Sequence, residues 1–84
     1  MDRDSKNHFY LEVDNIRVTY IPSQDRAPNR DWAGCDVIRI QAKRNNEDNS
    51  LHLGAELPIA SSERFIELIS SLCMVYNAGK ENEL

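Results

Sequence analysis

The 84-residue sequence contains few of the residue types that mark specialised classes of protein, with two cysteines, three glycines, three prolines and one tryptophan. Cys35 and Cys73 form neither a CxxC pair nor a disulfide framework, so we expect two ordinary thiols buried as small hydrophobic groups. No apolar run approaches the length of a membrane span, and none follows the N-terminus as in a signal peptide. The sequence therefore predicts a cytoplasmic protein with no membrane segment.

Motifs for catalysis and for metal binding are also missing from the sequence. It contains two histidines and shows no Ser/His/Asp or Cys/His arrangement, glycine-rich phosphate loop or pair of carboxylates. The spacing of His8 and His52 allows a shared metal site but does not indicate one, and solvated strand histidines are the simpler interpretation. We therefore expect a protein that is not an enzyme and that binds no metal or cofactor.

Length and composition predict one small folded domain. A chain of this length buries a single core, and its 40% hydrophobic and 29% charged residues are typical of globular proteins. The net charge of −4 argues against a nonspecific binder of nucleic acid or of anionic membranes. We expect the domain to span residues 8–78, with residues 1–7 and 79–84 as flexible tails.

Residues 9–21 predict a β-hairpin. Asp14 and Asn15 lie at the centre of an alternating apolar pattern, and both residue types tolerate the positive φ that a two-residue turn requires. Folding about these two residues places apolar side chains opposite one another on one face and Glu12 opposite Arg17 on the other. The apolar pairs are Val13 with Ile16, Leu11 with Val18, and Phe9 with Tyr20.

A long polar loop, two further strands and a helix are predicted after this hairpin. The loop spans residues 22–35, the third strand spans residues 35–44, and the fourth spans residues 50–57 and ends at Pro58. A serine cap, either Ser61 or Ser62, and an apolar periodicity of 3.6 residues predict a helix over residues 62–77, with Gly79 as its C-terminal cap. The predicted fold is thus α+β (ββββα): a four-stranded antiparallel sheet of two β-hairpins, followed by one C-terminal helix packed on one face.

The apolar stripe of the predicted helix covers about half of its circumference, whereas a helix on a small sheet buries about a third. The additional apolar surface of the helix must be buried against another surface, and two interpretations remain open. It meets the helix of a second copy in a homodimer, or the long loop or the N-terminal segment of the same chain covers it. The residues predicted at a dimer interface are Ile66, Leu68, Val75 and Tyr76.

The sheet face away from the helix is predicted to be polar and mildly basic, which permits binding of single-stranded nucleic acid. The candidate residues for this alternative function are Tyr10, Arg17, Arg39 and Lys43. The order of elements resembles that of the transcriptional-coactivator-like and Whirly-like single-strand-binding proteins, and this resemblance implies strands bound across the sheet. Nucleic acid is the less favoured partner, because the protein is acidic overall and because cations on a sheet face are more usually solvated.

Loop 22–35 contains the only tryptophan, Trp32, among charged residues. The side chain either folds back over the open end of the core or is exposed as an anchor for a partner. Trp and Arg are the residues that protein interfaces use as anchors, and long loops on rigid scaffolds often carry function. The favoured function is a small accessory or regulatory module that contacts a protein partner through this loop and the polar sheet face, with Trp32, Arg30 and Arg26 as anchors.

Overall fold

The computed structural model describes residues 1–43 and 54–82, which form one antiparallel sheet and one C-terminal helix. The elements are β1 (Asp2–Arg3), β2 (Phe9–Val13), β3 (Ile16–Ile21), β4 (Asp36–Ala42), β5 (Ala55–Ile59) and α1 (Ser62–Glu81). A short 3₁₀ turn, Ser23–Asp25, follows β3. The strands lie side by side in chain order, from β1 at one edge to β5 at the other. The predicted α+β class, with an antiparallel sheet followed by one helix, is confirmed.

The first hairpin forms with the predicted register. Val13 lies opposite Ile16, and Glu12 lies opposite Arg17. Asp14 adopts a φ of 54°, in the left-handed region that Asp tolerates better than most residues, and so reverses the chain between the two strands. Local turn chemistry and a period of two residues therefore determine this part of the fold.

The sheet has five strands rather than the predicted four, because residues 2–3 of the predicted N-terminal tail pair with β2. A tight turn over residues 4–8 brings them back. The Asp4 carboxylate accepts the backbone N–H groups of Lys6 and His8, each at 2.9 Å, and Asn7 adopts a φ of 68°. This turn depends on hydrogen bonds between a side chain and the backbone. Such a turn has no hydrophobic periodicity in its sequence, so the pattern did not predict it.

Two predicted ends of elements are wrong. Pro58 does not end the sheet, since β5 continues through it to Ile59. β5 lies at the edge of the sheet, where the missing N–H of a proline can face away from the neighbouring strand. The helix likewise passes through Gly79 to Glu81 and is capped by the backbone of Asn82. The predicted turn after β4 and the first half of the predicted fourth strand, residues 44–53, lie outside the described residues.

The two faces of the sheet differ in chemistry, as their alternating sequence predicts. The apolar sheet face carries Phe9, Leu11, Val13, Ile16, Val18, Tyr20, Ile38, Ile40, Ala42, Ala55, Leu57 and Ile59. The polar sheet face carries Tyr10, Glu12, Arg17, Thr19, Ile21, Val37, Arg39, Gln41 and Glu56. The serine predicted to cap α1 does so, since the Ser61 hydroxyl accepts the backbone N–H of Arg64 at 3.2 Å.

The most deeply buried hydrophobic residues of the described chain, Ile21 and Val37, lie on the polar sheet face. We expected the core on the apolar face, beneath the helix. α1 instead makes its main contacts with the edge strand β5, and no residue of α1 is buried. Cys73, which was expected to be buried, is therefore exposed on this helix.

Candidate protein-binding loop and polar sheet face

Loop 22–35 is attached to the polar sheet face by a buried ion pair. The Arg26 side chain is 3% exposed, and its Nη1 and Nη2 donate to the two Glu56 carboxylate oxygens at 2.7 and 3.2 Å. Nη2 also donates to the backbone carbonyl of Asp31. Arg39, the cross-strand neighbour of Glu56, contacts the same carboxylate at 2.9 Å. Arg26, predicted as a partner anchor, thus lies inside the fold and holds the loop in place.

Two further contacts hold the start of the loop. The backbone N–H of Ser23 donates to the Asp36 carboxylate at 2.8 Å. His8 is 8% exposed, and its Nε2 lies 2.8 Å from the Asp25 carboxylate, while its Nδ1 lies 3.7 Å from Asp4. The 3₁₀ turn is therefore tied both to β4 and to the N-terminal turn. No sequence pattern predicts this role of His8, because its partners lie 4 and 17 residues away and form no motif.

Trp32 lies in a turn near the end of the loop and is 49% exposed. Its backbone has a φ of 62°, a conformation that is rare for a bulky residue, and its carbonyl accepts the N–H of Cys35 at 3.1 Å in a turn that contains Gly34 at a φ of 85°. A non-glycine residue held in this region costs on the order of 1–3 kcal/mol and is found most often at functional sites. The indole is thus presented at the surface and not buried in the core.

Arg30 is exposed beside Trp32 in sequence, and within residues 1–43 and 54–82 its guanidinium has no ion-pair partner. It lines a groove of about 280 Å³ together with Arg39, Gln41, Gly54 and Glu56. A Cβ at Gly54 would overlap the carbonyl of Ile40, so only glycine fits against β4 at this position. The loop and the polar sheet face therefore form one continuous surface.

The four residues considered for binding of nucleic acid lie together on the polar sheet face, but their cations are paired with carboxylates. Arg17 and Lys43 contact Glu12 at 2.7 and 2.6 Å, and Arg39 contacts Glu56. The Arg17 guanidinium also lies 4.3 Å from the centre of the Tyr10 ring, where a nucleic-acid base would stack. Hydrogen bonds from Lys43 and then from Arg17 lower the pKa of Glu12 below its usual 4.5.

The hydrogen bond from Arg26, and then that from Arg39, lowers the pKa of Glu56 below 4.5, against the opposing effect of burial. A carboxyl group with a lowered pKa in the folded state stabilises the fold above its unfolded pKa, and this contribution is lost as the pH falls through the folded value. We expect unfolding in urea to show a stability loss below about pH 4.5 that is smaller in Glu56→Gln than in the wild type. An identical acid profile in wild type and Glu56→Gln would contradict this assignment.

The residues predicted at a dimer interface all lie on α1. Ile66, Val75 and Tyr76 are exposed, and Leu68 is half-buried. Within the part of the chain that the structure describes, no group of three or more His, Cys, Asp or Glu side chains is arranged to hold a metal ion. No helix in the same residues is long and apolar enough to cross a membrane.

Comparison of this chain with known protein families and with curated proteins finds no match, and no solved structure matches it. The resemblance in element order to single-strand-binding proteins therefore receives no support from these comparisons. The functional argument depends on the geometry of the loop and of the polar sheet face.

Proposed function

We propose that this protein is a small non-enzymatic accessory or regulatory module that contacts a protein partner through loop 22–35 and the polar sheet face. Trp32 and Arg30 contact the partner directly. Arg26 has a positioning role, since its ion pair with Glu56 holds the loop against the sheet. The groove beside Arg30 extends the contact surface onto β4 and β5.

The single observation that supports this proposal most is the exposed indole of Trp32 on a loop whose base is rigidly held. An indole offers a large contact area with little conformational entropy to lose, and Trp and Arg are enriched among the residues that dominate binding energy. A positive φ at Trp32 costs stability in the free protein. Binding of a partner is a function that accounts for the positive φ at Trp32 despite its cost in stability.

Binding of single-stranded nucleic acid is the less favoured alternative. A phosphate would have to displace Glu12 from Arg17 and Lys43, and Glu56 from Arg39, before these cations could contact it. A base would have to displace the Arg17 guanidinium from the Tyr10 ring. Both exchanges break contacts that already exist within the protein. They therefore reduce the net gain from counterion release, which drives binding to phosphates.

Photo-crosslinking tests the proposed surface. The full chain is produced in its source cells with a photo-reactive amino acid in place of Arg30, and in a matched variant in place of Ser70 on α1. Both positions are exposed, so the two variants differ in which surface carries the probe. We expect position 30 to yield a covalent adduct with a different protein that position 70 does not yield. The absence of such an adduct, or the same adducts from both positions, would contradict the proposal.

A titration with a fluorescent oligothymidine distinguishes the two partner classes. We expect no change in anisotropy at low salt, because the cations of the polar sheet face are already paired. Binding that weakens steeply as salt rises, and that Arg17→Ala removes, would favour the nucleic-acid alternative and count against the protein partner.

A further inference from the structure

Both the apolar sheet face and α1 expose large hydrophobic side chains within the described chain. On the sheet, Leu11 is 53% exposed and Val18 is 37% exposed. On the helix, Leu72 is 57% exposed and Val75 is 73% exposed. The two surfaces meet only near the start of α1, where Phe65 lines an apolar groove of about 380 Å³ on the sheet. Among residues 1–43 and 54–82, the rest of the helix stripe and most of the sheet face lack a partner.

The exposed area of the single chain is too large for a compact monomer. It exposes 6763 Å², whereas a compact protein of 9.7 kDa exposes about 5,100 Å². Its radius of gyration of 14.8 Å exceeds the value of about 12 Å for a compact domain of 84 residues. The surplus of about 1,700 Å² per chain is in the range of the surface that each subunit of an obligate homodimer buries.

We propose that this surplus is covered by a second copy of the chain, with helix α1 of each protomer lying on the apolar sheet face of the other. This proposal is independent of the proposed function, since it concerns the opposite face of the sheet.

A second copy fits these surfaces better than an unrelated partner does, because the chain itself supplies both halves of the contact. A two-fold axis that places α1 on the partner's sheet also places the partner's α1 on the first sheet, so one arrangement covers all four surfaces. Between residues 62 and 77 the helix stripe carries no charge, and Lys80 lies on the same side of α1 in its last turn. Glu63, Arg64 and Glu67 occupy the opposite arc of α1, and the two protomers therefore approach each other without burying these charges.

The small number of buried apolar residues also favours a second copy as the partner. Ile21 and Val37 are the only hydrophobic residues that are buried within residues 1–43 and 54–82. A core of this size offsets little of the conformational entropy lost on folding. The partner must therefore be present whenever the chain is folded, and another copy always meets that condition.

Sedimentation equilibrium with matched variants tests the proposal. We expect the wild type to have twice the mass of one chain. Leu72→Lys on α1 and Leu11→Lys on the sheet should each weaken self-association by about 10-fold or more, because each places a charge in the apolar contact. Ser70→Lys adds the same charge on the polar arc of α1 and should leave association unchanged. A monomeric wild type at the highest soluble concentration would overturn the proposal.

A measurement on the wild type keeps the test independent of whether the variants fold. An equal mixture of ¹³C-labelled and unlabelled chains is examined for nuclear Overhauser effects between differently labelled protomers. We expect contacts between the Leu72 or Val75 methyl groups of one protomer and those of Leu11 or Val18 of the other. A dimer in which these contacts join only helix to helix, or in which helix and sheet touch only within one chain, would overturn the proposed arrangement.

Discussion

Replacing Glu56 with alanine is expected to lower the free energy of unfolding by about 3 kcal/mol, because the substitution leaves the Arg26 guanidinium buried without its counterion. Arg26 is the most deeply buried charged side chain in the ion pairs of the described chain, whereas Glu56 is 18% exposed. Loss of the carboxylate also removes the side-chain contact between Arg26 and the sheet, since no other described side chain accepts from Arg26. The measurement is the midpoint of urea unfolding with the slope unchanged.

Glu12→Ala provides the matched control. Glu12 also lies on the polar sheet face and also contacts two cations, but the side chains of Arg17 and Lys43 are 24% and 21% exposed, whereas that of Arg26 is 3% exposed. Loss of Glu12 should change stability much less, because solvent reaches the two cations that it leaves unpaired. A double variant, Arg26→Met with Glu56→Leu, should recover most of the stability lost in Glu56→Ala, since it removes both buried charges. Equal losses in Glu56→Ala and Glu12→Ala would contradict the structural role of the buried pair.

Replacing Trp32 with asparagine is expected to abolish most of the affinity for the protein partner without destabilising the fold. The predicted loss of binding free energy is about 2 kcal/mol or more, or about 30-fold in Kd, as is usual for an interface anchor. Stability should be unchanged or should rise by up to about 1 kcal/mol, because asparagine tolerates the positive φ at this position better than tryptophan does. The partner recovered by crosslinking is titrated by calorimetry, and unfolding is measured in urea.

Two results distinguish this prediction from a structural role of the indole. Arg26→Met weakens the support of the loop and should lower both stability and affinity, whereas Trp32→Asn should lower affinity alone. If Trp32→Asn lowers the unfolding free energy by as much as a core substitution does, the indole packs in the fold and is not the anchor.

Local chemistry made a large part of the fold predictable. The first hairpin has the predicted register because apolar residues alternate on both sides of Asp14, which reverses the chain. The α1 cap is Ser61, one of the two serines predicted for this role, because a hydroxyl before an apolar helical pattern satisfies a free backbone N–H. Strand β1 and the end of α1 were not predictable, because neither depends on hydrophobic periodicity.

The candidate site was predictable only in its location. The sequence places Trp32, Arg30 and Arg26 in one polar loop, and composition alone makes all three look like anchors. The structure separates them, since Arg26 is buried against Glu56, 30 residues further along the chain, whereas Trp32 stays exposed. No spacing rule links two residues that lie 30 positions apart on a loop and on a separate strand.

The sequence by itself determined the α+β class, the alternation of apolar and polar residues on the strands, and the width of the helix stripe. These properties follow from periods of two and 3.6 residues, which depend on backbone geometry alone. Only the tertiary structure decided which surfaces are covered. Loop 22–35 closes over the polar sheet face through the Arg26–Glu56 pair, and α1 extends from β5 and meets the apolar sheet face only near its start. Which face of the sheet is covered depends on contacts between segments that are distant in the sequence. Hydrophobic surface is buried wherever such contacts form, even where the local pattern predicts otherwise.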